Sequence, residues 1–194
     1  EVAGDSFTKK RYLQFFSHFK DFKKILDIGC GNGQGGVILK NLDPSLQMDG
    51  VETVDKFIRE IPNNTYNNIY NLEEIKLKVS DYSYDIIIAG EFIEHLYEDD
   101  FQKALIEFFR IIKIGGRLIM TSPNPDYFKL KLNNRSVLSR SHLSQHFPKI
   151  LKLKLLMNGF RNISYEGSGK VSNFLGKKFP LFLYGSYLIK GDKI

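Results

Sequence analysis

Residues 29–36 read "GCGNGQGG", with five glycines in eight positions. Counted from Gly31 the run is G-x-G-x-x-G, the pattern of a dinucleotide pyrophosphate loop. Counted from Gly29 it is G-x-G-x-G, a tight turn displaced by two residues. Short glycine patterns recur by chance, so the flanking sequence has to choose between them. In the first frame Gly29 falls inside the preceding strand, where a glycine packs nothing. In the second, "KILDI" (24–28) is the whole strand and all three alternate glycines lie in the turn. Asp27 then stands at the strand end, where a carboxylate repels a pyrophosphate and suits a cationic ligand. The second frame is the better reading.

Outward from that turn, apolar strands alternate with amphipathic helices. "FTKKRYLQFFSHF" (7–19) spaces Tyr12, Phe15, Phe16 and Phe19 as one helical face. "QGGVILKNL" is the helix after the glycines, "LQMDGVE" (46–52) a second strand and "VDKFIREI" a short helix. "NNIYNL" (67–72) is a weak third strand, and "YDIIIAG" (84–90) a continuous apolar run such as a central parallel strand requires. Over 99–112, Phe101, Ala104, Leu105, Phe108, Phe109 and Ile112 form one apolar stripe. Gly115–Gly116 is read as the end of that helix and "RLIMTS" as the fifth strand. A basic helical stretch (142–157) and two strand-like runs, "FRNISYE" and "LYGSYLI", follow. Such alternation calls for an α/β fold, a mostly parallel sheet covered on both faces. Ligands bind beyond the C-terminal strand ends of these sheets, near the point where strand order reverses. Glu52, closing the second strand, suits the two hydroxyls of a ribose in any adenosine-bearing ligand.

At 194 residues the chain suits one domain with a full core. No apolar run approaches the length of a membrane span. A single cysteine, Cys30, excludes an internal disulfide and a multi-thiolate zinc site. A cytoplasmic location is expected on that basis and from the lack of a leader-like stretch. Charge is unevenly divided. Residues 1–112 carry 13 Lys/Arg against 19 Asp/Glu, and residues 113–194 carry 15 against 3. The basic C-terminal portion points to an anionic partner.

"ILDIGCGNGQ", "GVE", "YDIIIAGEFIEHL" and "FFRIIKIGGRLIMTSPNP", in this order and spacing, resemble the class I S-adenosylmethionine-dependent methyltransferases. The resemblance covers about residues 7–125. "EFIEHL" and "GGRLIMTSPNP" look like the branch containing ubiquinone-pathway and sugar or polysaccharide O-methyltransferases. It implies a Rossmann-like, doubly wound, seven-stranded sheet, mostly parallel with an antiparallel last strand near 183–189. It also implies S-adenosylmethionine as cofactor. Asp27, Gly29, Cys30 and Gly31 would face its methionine part, and Glu52 its ribose, with Thr53 alongside. Asn71 and Leu72 would flank adenine, and Gly90 and Glu91 would close over the methionine end.

Residues 1–194 are thus expected to form one methyltransferase domain, with a helical cap at 1–23 and a basic acceptor-side lid and helix at 126–160. The expected acceptor is a small molecule, glycan or lipid-type compound, anionic in character, methylated on oxygen or nitrogen. An RNA-directed enzyme or RNA-binding domain is the alternative. His142, after the fifth strand, and His95 are the candidate bases, since imidazole titrates near neutrality. Glu91 and His95 lie four apart, as metal ligands can. With no third convergent ligand in view, no metal is expected.

Overall fold

Ile86, Ile87, Ile88 and Ala89 are each fully buried, and successive residues serve opposite faces of one sheet. A strand covered on both sides needs apolar residues at every position, which accounts for the unbroken run. The computed structural model describes residues 6–71, 76–169 and 179–194. In chain order its elements are α1 (Ser6–Phe16), β1 (Lys24–Ile28), α2 (Gln34–Leu42), β2 (Gln47–Val51), α3 (Asp55–Glu60), β3 (Ile69–Tyr70) and β4 (Tyr84–Gly90). After a 3-10 turn at Ile93–His95 come α4 (Glu98–Ile111), β5 (Ile112–Pro123), α5 (Phe128–Leu132), α6 (Pro148–Met157), β6 (Arg161–Ser168) and β7 (Ser186–Asp192).

The seven strands form one sheet in the order β3-β2-β1-β4-β5-β7-β6. Strands β1 to β5 pair in parallel, and β7 runs antiparallel to both β5 and β6. This is the Rossmann-like sheet expected, with its antiparallel strand beside the fifth. Strand order reverses between β1 and β4, so a crevice opens beyond their C-terminal ends. On one face α1 and α2 pack Tyr12, Phe15 and Leu39 against Ile25, Met48, Ile86 and Ile88. On the other, α4 and α6 pack Phe101, Leu105, Leu151 and Leu155 against Leu26, Ile87, Leu118 and Met120.

A buried polar clamp fastens α1 to the far edge of the sheet. The Gln14 amide nitrogen donates to Glu166 Oε1 at 2.8 Å and to the Gly167 carbonyl at 3.0 Å, and the Ser168 hydroxyl donates to its Oε1 at 2.8 Å. No helix among the described residues is long and apolar enough to cross a membrane.

Several boundaries differ from the sequence reading: α1 ends at Phe16 and β7 runs over Ser186–Asp192, and three further differences have a clear cause. Helix α4 stops at Ile111, and Ile112–Gly116 belongs to β5, because Ile112 already pairs with Tyr84 across a register shift. The third strand shrinks to two residues pairing Gly50 and Val51. Helix α6 begins at Pro148, not 142. Proline fits a helix only in its first turn, where its missing N–H is not needed. Residues 143 and 144 are instead drawn out, both N–H groups donating to the Glu94 carbonyl at 2.8 and 3.1 Å.

Candidate active site

Strand β1 ends at Ile28, and Gly29, Gly31 and Gly33 all have positive φ (68°, 55° and 80°). Side-chain-bearing residues disfavour that region, so the G-x-G-x-G frame has a conformational basis. The N–H groups of Gly29 and Cys30 both donate to the Val51 carbonyl. A side chain at Gly31 would meet nothing within 4 Å, so the turn leaves open space above it. Glu52, 8% exposed, staples the turn to the end of β2. Its Oε2 accepts the Gly31 N–H at 2.8 Å, and its Oε1 accepts those of Thr53 and Val54 at 2.8 and 3.0 Å. Those bonds fix the carboxylate at the mouth of the crevice. Cys30 is buried, and burial, then the neighbouring Asp27 and Glu52, push its thiol far above the ordinary range. It is a small packing residue, not a nucleophile.

Asp27 is fully buried on the α1 side of the sheet. Tyr12 donates its hydroxyl to both carboxylate oxygens at 2.9 Å, and Tyr66 donates to Oδ2 at 2.7 Å. Burial raises its pKa to about 7, opposed by the two tyrosine bonds and by Arg11. Here is a carboxylate with two neutral donors and no bonded cation, beside the open turn. Tyr12 reaches it only because its ring lies on Gly35 of α2, where an added Cβ would fall 1.9 Å from the ring.

The end of β4 carries a second group. Gly90 pairs with Thr121, and Glu91 follows with φ 53°, its N–H donating to the Thr121 carbonyl. Its Oε1 is buried without a hydrogen bond, 4.0 Å from the Arg11 guanidinium. Glu94 is 1% exposed, and neither of its carboxylate oxygens has a hydrogen-bond partner. Burial, then repulsion from Glu91, pushes its pKa up to about 8. His95 and His142 approach edge to face, ring centroids 5.1 Å apart. The Nδ1 of His95 donates to the Ser141 carbonyl at 2.6 Å, and that of His142 to the Val137 carbonyl at 3.0 Å. A carbonyl only accepts, so each ring holds a proton on Nδ1, and in the neutral tautomer that leaves a lone pair on Nε2. Phe92 bridges to the glycine turn, its ring lying 2.9 Å from where a Gly29 Cβ would stand.

Residues 26–118 match the family described as a methyltransferase domain. That match takes in just under half of the chain, whose seven-stranded sheet has the fold of the class I S-adenosylmethionine-dependent methyltransferases. The ribosomal RNA small subunit methyltransferase G of Ruthia magnifica subsp. Calyptogena magnifica is 28% identical over 120 residues, covering 61% of this chain and 53% of that protein. Phosphoethanolamine N-methyltransferase 1 of Triticum aestivum is 25% identical over 103 residues, 50% of this chain and 21% of that one. The chain thus spans about half the length of one curated relative and about a fifth of the other. A S-adenosylmethionine-dependent methyltransferase from Archaeoglobus fulgidus shares the fold, with a TM-score of 0.73 at 23% identity over 95% of this chain and 92% of that one.

S-Adenosylmethionine is the cofactor of this domain, and the residues present fit it. The turn at Gly31 has open space for a ligand, the Glu52 carboxylate is of the kind that accepts a diol, and Asp27, hydrogen-bonded only by neutral tyrosines, suits an ammonium. The methyltransferase domain brings together Asp27, Gly29, Cys30, Gly31, Glu52, Thr53, Gly90 and Glu91 at the ends of β1, β2 and β4. Asn71 is exposed just past β3, while Leu72 lies outside the described residues. Arg11, Tyr12, Tyr66 and Glu94 escaped the sequence reading. By spacing Tyr12 is one more member of an apolar helical face, and nothing local marks Glu94 or Tyr66. A separate open groove of about 520 Å³, walled by Phe147, Ile150, Tyr165 and Phe182 with Lys131 and Lys149 at its rim, shares no residue with either cluster.

Proposed function

We propose that the protein transfers the methyl group of S-adenosylmethionine to an oxygen or nitrogen of an anionic small-molecule, glycan or lipid-type acceptor. The cofactor brings its own leaving group, a sulfonium, so the chain has to bind, align and exclude water. In this reading Asp27 holds the ammonium, Glu52 the ribose diol with Thr53 beside it, and the backbone around Gly29, Gly31, Gly90 and Glu91 the methionine. Asn71 serves the adenine side, with Leu72, outside the described residues, as its expected neighbour. Residues 1–23 act as a cap and 126–160 as an acceptor-side lid and helix of one domain.

One observation carries the acceptor side. The segment after β5 crosses the end of β4, where Leu143 and Ser144 bond to Glu94 and Ser141 bonds to His95. It delivers His142 there with a free Nε2, and it exposes Arg135 and Arg140, which make no ion pair among the described residues. Arginine forks suit phosphate and carboxylate. His142 or His95 then takes the acceptor proton as the methyl moves. Phosphoethanolamine and ribosomal RNA, the acceptors named for two relatives, both carry phosphate, which agrees with an anionic acceptor without choosing its size.

The test is to incubate the protein with a cell extract and methyl-labelled S-adenosylmethionine and identify by mass what gains a methyl. A labelled small anion or glycan supports the proposal. Label found in RNA, with binding that weakens steeply as salt rises, would replace it by the RNA-directed reading. No labelled product from extracts of several growth conditions would refute methyl transfer as the activity.

A further inference from the structure

We propose that Glu94, His95 and His142 form a binding site for a divalent first-row transition-metal ion, with Glu91 at its edge. One ligand atom from each of the three lies within 4.8 Å of those from the other two, a spacing that a single ion can bridge. By sequence only Glu91 and His95 stand at ligand spacing, too few to hold a metal. The fold supplies the missing ligands by turning Glu94 inward and folding the segment after β5 over it.

Two independent features point into this cluster. The Glu94 carboxylate is 99% buried with no hydrogen-bond partner on either oxygen. A buried carboxyl group with no hydrogen-bond partner is costly whether it stays ionised or takes up a proton, and a bound cation removes that cost. Both imidazoles, moreover, carry the outer hydrogen bond that ligating histidines carry. Each donates Nδ1–H to a backbone carbonyl, Ser141 for His95 and Val137 for His142, which fixes the ring and directs the Nε2 lone pair elsewhere. Such outer hydrogen bonds are the usual support of a ligating histidine. Glu91 adds a second acidic group, its Oε1 without a hydrogen bond and 4.0 Å from the Arg11 guanidinium.

Two imidazole nitrogens with carboxylate oxygens suit Mn²⁺, Co²⁺ or Zn²⁺ better than Mg²⁺, which prefers an all-oxygen octahedron. Three protein ligands leave coordination positions open. Taken with the methyl-transfer reading, the ion would receive an acceptor hydroxyl in an open position and ease loss of its proton to solvent. The Nε2 lone pairs assigned above to a general base are then engaged by the metal.

The site is tested without cofactor or acceptor, so its outcome is independent of the proposed activity. Tag-free full chain, stripped with a chelator, is titrated with Co²⁺ while visible absorption is recorded. One equivalent per chain is expected, with absorption bands of nitrogen-and-oxygen coordination. Glu94→Gln, nearly isosteric and free of the buried charge, and His142→Ala, on an exposed segment, should each weaken binding more than about tenfold. Calorimetry with S-adenosylmethionine on Glu94→Gln reports whether the fold and cofactor site survive. Absence of saturable binding by the parent, or equal binding by both variants, would overturn the assignment.

Discussion

Replacing Asp27 by asparagine removes a buried charge that only two tyrosine hydroxyls and the distant field of Arg11 offset. The carboxylate's ordinary pKa of 3.8 rises to about 7 in the folded protein, mainly through burial. At about 1.4 kcal/mol per unit, holding it ionised costs the cofactor-free fold roughly 4 kcal/mol above neutrality. The sign follows from the direction of the shift. A group whose folded pKa is raised binds its proton more tightly when folded. Its contribution to stability is therefore complete below pH 3.8 and is lost as pH rises through about 7. Asparagine has no such dependence. Its Oδ1 can still accept both hydroxyls, while its amide lacks an acceptor, a defect of about 1–3 kcal/mol that is the same at every pH. The stability of Asp27→Asn relative to the parent should thus improve by about 2–3 kcal/mol between pH 5 and pH 8. Denaturant unfolding of the cofactor-free proteins at the two pH values measures it. Cofactor affinity should move the other way, by tenfold or more at pH 8, since the ammonium loses its charged partner. A relative stability that does not change with pH, or a variant that binds cofactor like the parent, would refute the reasoning.

Glu52→Ala removes three backbone hydrogen bonds as well as the diol partner, so calorimetry should show S-adenosylmethionine binding weakened by more than tenfold. Unchanged affinity would take Glu52 out of the ribose site. Gly35→Ala drives a methyl into the Tyr12 ring, and the expected loss is about 1–3 kcal/mol in thermal unfolding, with weaker cofactor binding as Tyr12 leaves Asp27. Equal melting of the two proteins would show that the ring does not lie there. Once an acceptor is in hand, Arg135→Ala/Arg140→Ala should raise its KM and leave cofactor affinity alone. His142→Ala should instead cut turnover by about a hundredfold or more. Steady-state kinetics separates these outcomes, and parent-like values for both variants would remove the lid from the acceptor site.

The central sheet and the glycine turn could be read from the sequence because their signals are local. Ile86–Ala89 announce a strand buried on both faces, and the three alternating glycines fit only a turn with positive φ. What escaped detection depends on partners distant in the chain. Tyr12 looks like one more apolar residue of α1 until its hydroxyl, 15 residues from Asp27 in sequence, is seen to meet it. Tyr66 approaches from 39 residues away on no regular element. Glu94 is polar by sequence and buried in fact, because the stretch before Pro148 stays extended and covers it. The same stretch, read as the start of a helix, gave α6 six residues too many. The helix at 99–112 was lengthened by one residue for a related reason, since Ile112 fits an apolar helix stripe and a strand equally well.

The clamp of Gln14 onto Glu166, Gly167 and Ser168 joins positions about 150 residues apart. Contacts of such high sequence separation form late, because the loop they close loses much entropy before anything repays it. Helix α1 therefore gains its hold on the far edge of the sheet only once the β6–β7 pair is in place, whereas Tyr12 and Asp27, 15 residues apart, can meet earlier. The clamped α1 wall of the cofactor pocket is expected to be fastened at the end of folding and released first on unfolding. A ligand that binds there stabilises contacts missing from the folding transition state. It should slow unfolding while leaving the rate of folding almost unchanged.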